Sequence, residues 1–416
     1  MPPAIHVVSI PSSAIPTFRP TLATRLGVMY FLQFFLWGAW MVTLGTYLLQ
    51  TLHFSGRQVG MIYGIGAVAA TLTPLALGVL ADRRFASDRL LAVLHLIGGI
   101  LMLILYQAQS YGWFYFWMLL YSCCYLPTFS LSNALCFHHL PDLSRLFPRV
   151  RVWGTIGWMV ASALVSFLAV EALATPLLIA GVASLVQAAY CLTLPHTPPV
   201  PPAQRLSLGS PQFKELLRDK SLRVLTAALF LICIPSAYYY AFVNPYLNEI
   251  GIPRAAALMS FGQAVEIVVV LLMPWFFSRL RLRRILFFGF LVWGLRYFAF
   301  AYGGPGSGRW LLWLAIGVQG FAFAFVTMAA QLYVNSRVPA PLRSTAQGFI
   351  AFITLGLGAF LGSIIAGETV SRFALPGGTH QWIPVWWVPA LVGTVAALWF
   401  WWAFPRREGL REGRKD

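Results

Sequence analysis

Twelve apolar stretches of about 20 residues dominate this sequence, and they leave few folds open to it. Each is long enough to cross the hydrocarbon core of a bilayer as a helix. Charged residues make up only 10% of the chain, whereas soluble domains carry roughly 25%. The chain is therefore predicted to be an all-α integral membrane protein. The predicted spans are residues 27–50, 58–81, 90–108, 112–137, 153–171, 173–194, 222–247, 256–279, 284–303, 309–334, 344–368 and 383–404.

The basic residues orient these spans. A net charge of +17 would suggest a nucleic-acid partner in a soluble protein, but here Lys and Arg concentrate in alternate loops. With the N-terminus inside the cell, the cytoplasmic loops and tails hold 24 of the 29 basic residues and the external loops hold four. This positive-inside pattern predicts a multi-pass protein of the cytoplasmic (inner) membrane, with both termini in the cytoplasm and the lipid bilayer as its surroundings. Nucleic acid is not expected as a partner.

One long loop, rich in Pro and then in charge, divides the chain into six spans on each side. The second and eighth spans end alike, as "TPLALGVLADRR" and "MPWFFSRLRLRR", which suggests duplication. Two pseudo-symmetric six-helix halves are typical of the major facilitator fold, whose substrate site lies at mid-membrane between the halves. The predicted regions are an N-terminal tail (1–26), a first half (27–194), a linker (195–221), a second half (222–405) and a C-terminal tail (406–416).

The loop after the second span reads "GVLADRRFASDR" and resembles the signature loop of the major facilitator superfamily. The resemblance implies structural or gating roles for Gly78, Asp82 and Arg83. Gly78 would allow close helix contact, while Asp82 would pair with neighbouring helix ends and arginines in one conformational state. The alternative is an ordinary charged turn.

Longer segments resemble the nucleoside:proton symporter family within that superfamily. They are "FLQFFLWGAWMVTLGTYL", "YLPTFSLSNAL", "VRVWGTIGW", "LTLPH", "MSFGQAVEI", "LRYFAFAYG" and "RSTAQGF", in the family's order and spread over most of the chain. The resemblance implies import of nucleosides driven by the proton gradient, and the chain is expected to act as a monomer. It is not expected to be an enzyme, since no nucleophile–His pair, metal cluster or Walker motif accompanies the spans. No cofactor or metal is expected.

The resemblance implies that substrate-binding residues lie on three spans: Arg151, Thr155 and Trp158, then Gln263 and Glu266, then Gln319 and Phe323. The spacing i, i+4, i+7 puts the first three on one helix face, and Gln263 and Glu266 also share a face. An aromatic ring such as Trp158 would stack on a nucleobase, while amide, hydroxyl and carboxylate groups would bind the ribose. Alternatively, Trp158 is a packing aromatic and Arg151 one more cytoplasmic charge.

The chain also departs from the family pattern. Ala324 stands where the family has an aspartate, and Ala237 and Tyr240 stand where it has amides. Tyr239, Tyr240 and Asn244 are predicted to bind substrate in their place, since a phenol both stacks and forms hydrogen bonds. These departures leave open a carrier, coupled to protons or not, of another small polar solute such as a sugar.

Glu266 is the one acidic residue deep inside a predicted span, where a charge is costly and usually functional. It is therefore the predicted proton-coupling residue. Arg296 lies in the next span at a depth that matches within roughly 5 Å, from the rise of 1.5 Å per residue. The alternative is a structural Glu266–Arg296 ion pair that joins two helices.

Overall fold

In this computed structural model the described residues are 20–83, 85–198, 218–339 and 342–405, and side chains at 20, 21, 72, 74–83, 144 and 344 are not described. Residues 1–19 of the predicted N-terminal tail, the whole predicted C-terminal tail and most of the linker lie outside these ranges, and Gly78, Asp82 and Arg83 are among the positions whose side chains are not described. The helices are α1 (Pro20–Trp40), α2 (Leu44–Thr46) with a π-helical turn (Tyr47–Thr51), α3 (Gly56–Arg83), α4 (Ser87–Leu105), α5 (Tyr111–His139), α6 (Leu143–Phe167), α7 (Thr175–Cys191), α8 (Lys220–Glu249), α9 (Ala255–Arg279), α10 (Leu282–Tyr302), α11 (Arg309–Arg337), α12 (Arg343–Ala351) with a π-helical stretch (Phe352–Gly358), α13 (Ala359–Arg372) and α14 (Trp382–Ala403).

The prediction of a helical membrane protein is confirmed. Within the described residues, ten helical stretches are long and apolar enough to cross a membrane, and α7 is a shorter apolar helix. An apolar segment of this length forms a helix in a bilayer, because a helix pairs its backbone N–H and C=O groups within the segment itself.

The first predicted span is interrupted. Helix α1 ends at Trp40, and a turn precedes α2 and its π-helical extension. The side chain of Tyr63, on α3, closes this break: its hydroxyl donates to the carbonyl of Met41 (2.9 Å) and accepts from the backbone N–H of Gly45 (3.0 Å). A neighbouring side chain thus binds two of the backbone groups that the break would leave unpaired.

The helices pack into an amino-terminal group, α1–α7, and a carboxy-terminal group, α8–α14. Helix α1 packs on α6 and α7, and α4 packs on α5 and α7, while α10 packs on α11 and α14. The main contacts that join the groups are α3 with α13 and with the π-helical stretch 352–358, α6 with α9, and α2 with α8. The end of the bundle that carries the connections 52–55, 168–174, 250–254 and 373–381 is called the upper end, and the opposite end the lower end.

At the upper end, α3 and α13 approach backbone to backbone. A β-carbon on Gly367 would stand 2.9 Å from Cα of Gly60, so both positions require glycine for this approach. Beside this crossing, Arg57 Nε lies 2.7 Å from a carboxylate oxygen of Glu368, although the Arg57 side chain is largely exposed. The two groups of helices are therefore held together at the upper end through small residues and a surface ion pair.

At the lower end, the ion pair of Asp219 with Arg337 lies within the carboxy-terminal group (2.8 Å). Asp219 also caps α8 by accepting from the backbone N–H groups of Ser221 and Leu222. Burial alone would raise the pKa of Asp219, but these hydrogen bonds and the guanidinium together lower it.

Candidate functional site

The site begins where α9 and α11 touch. A β-carbon on Gly320 would stand 2.6 Å from the carbonyl oxygen of Gly262 and would overlap the backbone nitrogen of Glu266. The absence of a side chain at 320 therefore lets α11 lie directly on the backbone of Glu266. This close approach places Gln319 and Phe323, both on α11, beside the helix that carries Gln263 and Glu266.

Helix α6 completes the site from the amino-terminal group. It packs on α9, and Arg151 and Glu266 lie within electrostatic range of each other. Trp158 is buried on α6, and its ring meets that of Trp37 edge to face, with centroids 5.0 Å apart. Arg151 and Glu266 thus lie near each other at the contact between the two groups of helices, while Trp158 packs against Trp37 of its own group.

Several buried polar atoms have no hydrogen-bond partner among the described residues, and four of them belong to residues singled out from the sequence: Trp158 Nε1, Tyr239 Oη, Gln263 Oε1 and Arg296 Nε. They come from α6, α8, α9 and α10, so both groups of helices contribute. An unpaired buried polar group costs roughly 1–3 kcal/mol. Such a set is chemically suited to bind a polar ligand with several donors and acceptors.

Arg296 does not pair with Glu266, which contradicts the ion-pair alternative. One guanidinium nitrogen donates to Gln319 Oε1 and another to the hydroxyl of Tyr297 (2.9 Å). The guanidinium carbon also lies 4.4 Å from the ring centroid of Tyr239. Arg296 therefore faces α8 and α11 and not α9, although its depth matches that of Glu266. Two residues at one depth need not share an azimuth around their helices.

The aromatic residues predicted on α8 and α11 take different places. Tyr239 is fully buried beneath Arg296, and its ring meets that of Tyr240 at 83° with centroids 5.5 Å apart. Both tyrosines lie within electrostatic range of Glu266. Phe323 is half-buried and lies against Trp293, with centroids 6.3 Å apart. Tyr239, Tyr240 and Phe323 therefore surround the same mid-membrane region.

Asn244, predicted to bind substrate, makes contacts that the sequence did not predict. Its side chain is fully buried at the upper end, where Nδ2 donates to Glu171 (2.9 Å) and Oδ1 accepts from Thr46 Oγ1 (2.5 Å). Both ends of the amide are thus occupied by protein groups away from the predicted site. The sequence prediction grouped Asn244 with Tyr239 and Tyr240 as substitutes for the missing family residues, and it did not include the contact with Glu171.

The two alanines that depart from the family pattern are packed. Ala324 is 1% exposed and lies one turn from Gly320, on the face of α11 that contacts α9. Ala237 is also buried, and a β-carbon on Gly362 of the neighbouring α13 would stand 3.2 Å from its β-carbon. Small side chains at both positions fit close helix contacts.

One feature near the site was not predicted. A pocket of about 60 Å³ lies between α1, α3 and α5, with Trp37, Tyr63, Tyr121 and Tyr125 among its lining residues. A β-carbon on Gly66, in the same wall, would meet no atom within 4 Å. Because Trp37 also contacts Trp158, the aromatic surface of the site continues into this pocket. In the sequence, the aromatic residues of the first and fourth predicted spans were the signal from which this pocket could have been predicted.

The family model described as "Nucleoside H+ symporter" matches residues 21–408. This chain belongs to that family. The nucleoside:proton symporter family is a family of transporters, so the predictions of this family and of a non-enzyme are both confirmed. The putative nucleoside transporter YegT of Escherichia coli is 34% identical over 90% of this chain and 92% of its own length. The xanthosine permease of the same organism is 32% identical over 92% of this chain and 96% of its own length.

Solved structures agree with this assignment. The crystal structure of nucleoside transporter NupG superposes with a TM-score of 0.85 at 30% identity, covering 92% of this chain and 99% of that one. A bacterial homologue of the human lysosomal transporter Spinster, in an inward-facing conformation, superposes with a TM-score of 0.72 at 14% identity, covering 92% of this chain and 96% of that one. The second likeness concerns the fold alone.

Proposed function

We propose that this chain imports nucleosides across the cytoplasmic membrane together with protons. Twelve membrane-spanning helices, in two six-helix halves, would open alternately to either side, with the upper end outside the cell and both termini inside. Membership of the nucleoside:proton symporter family supports the substrate and the coupling ion. The contacts of α3 with α13 and α6 with α9 support a site between the two halves.

One observation carries the location of the site. The atoms Trp158 Nε1, Tyr239 Oη and Gln263 Oε1 are buried without partners among the described residues, and Tyr239 lies within electrostatic range of Glu266. A nucleoside offers a flat base for the rings and ribose hydroxyls that both donate and accept. We propose that Trp158, continued by Trp37, contacts the base, and that Gln263, Glu266, Thr155 and Tyr239 bind its polar groups.

Glu266 is the proposed proton carrier. A half-buried carboxylate in a membrane helix is costly, and Glu266 has no salt bridge to a described residue. Proton binding would remove the charge, and Arg151 on the opposite half would favour the charged form when the two halves approach. Alternating approach and separation of α6 and α9 would thus load and release a proton.

Arg296 has a positioning role in this proposal. It holds Gln319 and Tyr297 by hydrogen bonds and covers Tyr239 with its guanidinium plane. Burying a cation costs several kcal/mol of desolvation free energy, and such neighbours offset part of that cost. Its unpaired Nε is left to donate to bound substrate.

Thermal shifts of the purified protein with a panel of nucleosides and sugars test this function. We expect nucleosides to raise the unfolding temperature and sugars to leave it unchanged. In proteoliposomes, an inwardly directed proton gradient should drive accumulation of the stabilising nucleoside, and a protonophore should abolish it. Stabilisation by sugars and by no nucleoside would overturn the proposed substrate, and accumulation that survives the protonophore would overturn the proton coupling.

A further inference from the structure

A second buried carboxylate lies away from the proposed substrate site. Glu171, in the connection between α6 and α7, is 6% exposed. Its Oε1 accepts from Ser166 Oγ (2.5 Å) and from the backbone N–H of Ala256 (3.0 Å). Its Oε2 accepts from Asn244 Nδ2 (2.9 Å) and Asn248 Nδ2 (3.0 Å). Four donors therefore saturate one carboxylate.

Three of these four donors come from the other group of helices. Asn244 and Asn248 lie on α8 and Ala256 on α9, whereas Glu171 and Ser166 belong to the amino-terminal group. Thr46, also of the amino-terminal group, adds a hydrogen bond to Asn244 (2.5 Å). These residues form one polar cluster across the upper end, which we name the Glu171 cluster: Thr46, Ser166, Glu171, Asn244, Asn248 and Ala256.

The Glu171 cluster holds no basic residue. The nearby Arg254 places its guanidinium 4.8 Å from the ring centroid of Phe167, and it makes no salt bridge with Glu171. Neutral donors alone therefore stabilise the buried carboxylate. Hydrogen bonds to a charged group are stronger than those between neutral groups, so separating the two halves would sacrifice several strong bonds at once.

The surface ion pair Arg57–Glu368 joins the same two groups of helices at the same end, but it differs in burial. The Arg57 side chain is 68% exposed, so water screens the pair and can replace it when the ends separate. The chain thus offers a buried contact and an exposed contact between the same groups, which makes the exposed one a matched control.

We propose that Glu171 is the latch of the outer gate: its bonds to α8 and α9 hold the upper end shut while substrate exchanges with the cytoplasm. This rests on the transport function proposed above. Asn244 lies four residues beyond Tyr240 on the same face of α8, so the latch and the proposed substrate site share one helix face. Movement of α8 at the site would then reach the latch directly.

A cysteine at position 241 reports on the gate without any nucleoside. Ala241 is buried, and its carbonyl oxygen packs against Gly45 at the contact of α8 with α2. Opening the upper end would separate these helices and expose the thiol of an Ala241→Cys variant. The measurement is its labelling rate with a membrane-impermeant maleimide added outside, corrected for labelling of the same protein without that cysteine.

In Glu171→Gln, an NH2 group replaces one of the two carboxylate oxygens. This NH2 group cannot accept the two hydrogen bonds that the oxygen accepted, so at least one pair of hydrogen bonds is lost. We expect labelling at position 241 to become about tenfold faster or more, from the loss of bonds to a charged acceptor. Asn248→Ala, which removes one donor and keeps the carboxylate, should accelerate labelling by a smaller factor. Glu368→Gln should leave the rate within about twofold, because it removes only ion pairs with the exposed side chains of Arg57 and Arg372.

The latch proposal would be overturned if Glu171→Gln left the labelling rate at position 241 unchanged. It would also be overturned if Glu368→Gln accelerated labelling as much as Glu171→Gln does. If Glu171→Gln does not fold, Asn248→Ala decides the question by the same criterion. Because no nucleoside is present, these outcomes are independent of the substrate. Failure of uptake in the parent protein would instead count against the proposed function.

Discussion

Two carboxylates lie at the contact between the two groups of helices, and their surroundings differ. Glu171 accepts four hydrogen bonds from protein groups, three of them from the opposite group of helices. Glu266 accepts none from the described residues, and its neighbours Gln263 and Tyr239 carry unpaired polar atoms. A saturated carboxylate holds the structure together, whereas an unsaturated one is available to a proton or a ligand. From this difference we infer that Glu171 holds the two groups of helices together at the upper end, and that Glu266 binds a proton or ligand at mid-membrane.

The largest effect is expected from Glu266→Gln. The substitution keeps the size of the side chain and removes its ability to exchange a proton, so accumulation driven by a proton gradient should fall to equilibration. Uptake into proteoliposomes with an imposed gradient measures this, with Glu368→Gln as the control that should accumulate normally. Normal accumulation in Glu266→Gln would show that the unsaturated carboxylate does not couple protons.

A pair of substitutions tests the comparison directly. Asn248→Ala removes a donor from a buried carboxylate and should cost about 1.5–3 kcal/mol of stability. Gln263→Ala removes an unpaired atom and should cost under about 0.5 kcal/mol, while nucleoside affinity falls by about tenfold. Unfolding midpoints in detergent and equilibrium binding measure the two quantities. A large stability loss in Gln263→Ala with unchanged affinity would reverse the two assignments.

The smallest effect is expected from Trp158→Phe. Phenylalanine keeps an aromatic face and an edge contact with Trp37 but lacks Nε1, so affinity should fall by only about two- to fivefold, the value of one neutral hydrogen bond. Trp158→Ala also removes the stacking surface, worth about 1–3 kcal/mol with a base, and should lose at least about tenfold. The KM for uptake measures both. Equal values for the two variants would mean that Trp158 only packs against Trp37.

The helices of the carboxy-terminal group could be predicted closely from the sequence. The predicted spans 222–247 and 256–279 correspond to Lys220–Glu249 and Ala255–Arg279. Hydropathy suffices for these two helices because each is one continuous apolar stretch. The interruption after Trp40 was not predicted, since it depends on the hydroxyl of Tyr63 from another helix. The composition of residues 27–50 alone does not predict that contact.

Partners across helices were the part of the site that the sequence did not reveal. Depth along a helix can be counted in residues, which is why a Glu266–Arg296 ion pair was the alternative to a proton-coupling role. The rotation of each helix is set by packing, and it directs Arg296 to Gln319. Glu171 stands at a predicted span end, where an acidic residue is ordinary, and its role depends on α8 and α9 lying against it.

Gly320 sets a limit on how this transporter can acquire new substrates. Its backbone contact with Glu266 joins α9 and α11, so any side chain at 320 would collide with the backbone of Glu266 and shift that residue. A mutational library aimed at substrate preference should therefore keep Gly320 constant and vary its neighbours Gln319 and Phe323. Variation at 320 would remove activity for every substrate alike and would carry no information about selectivity.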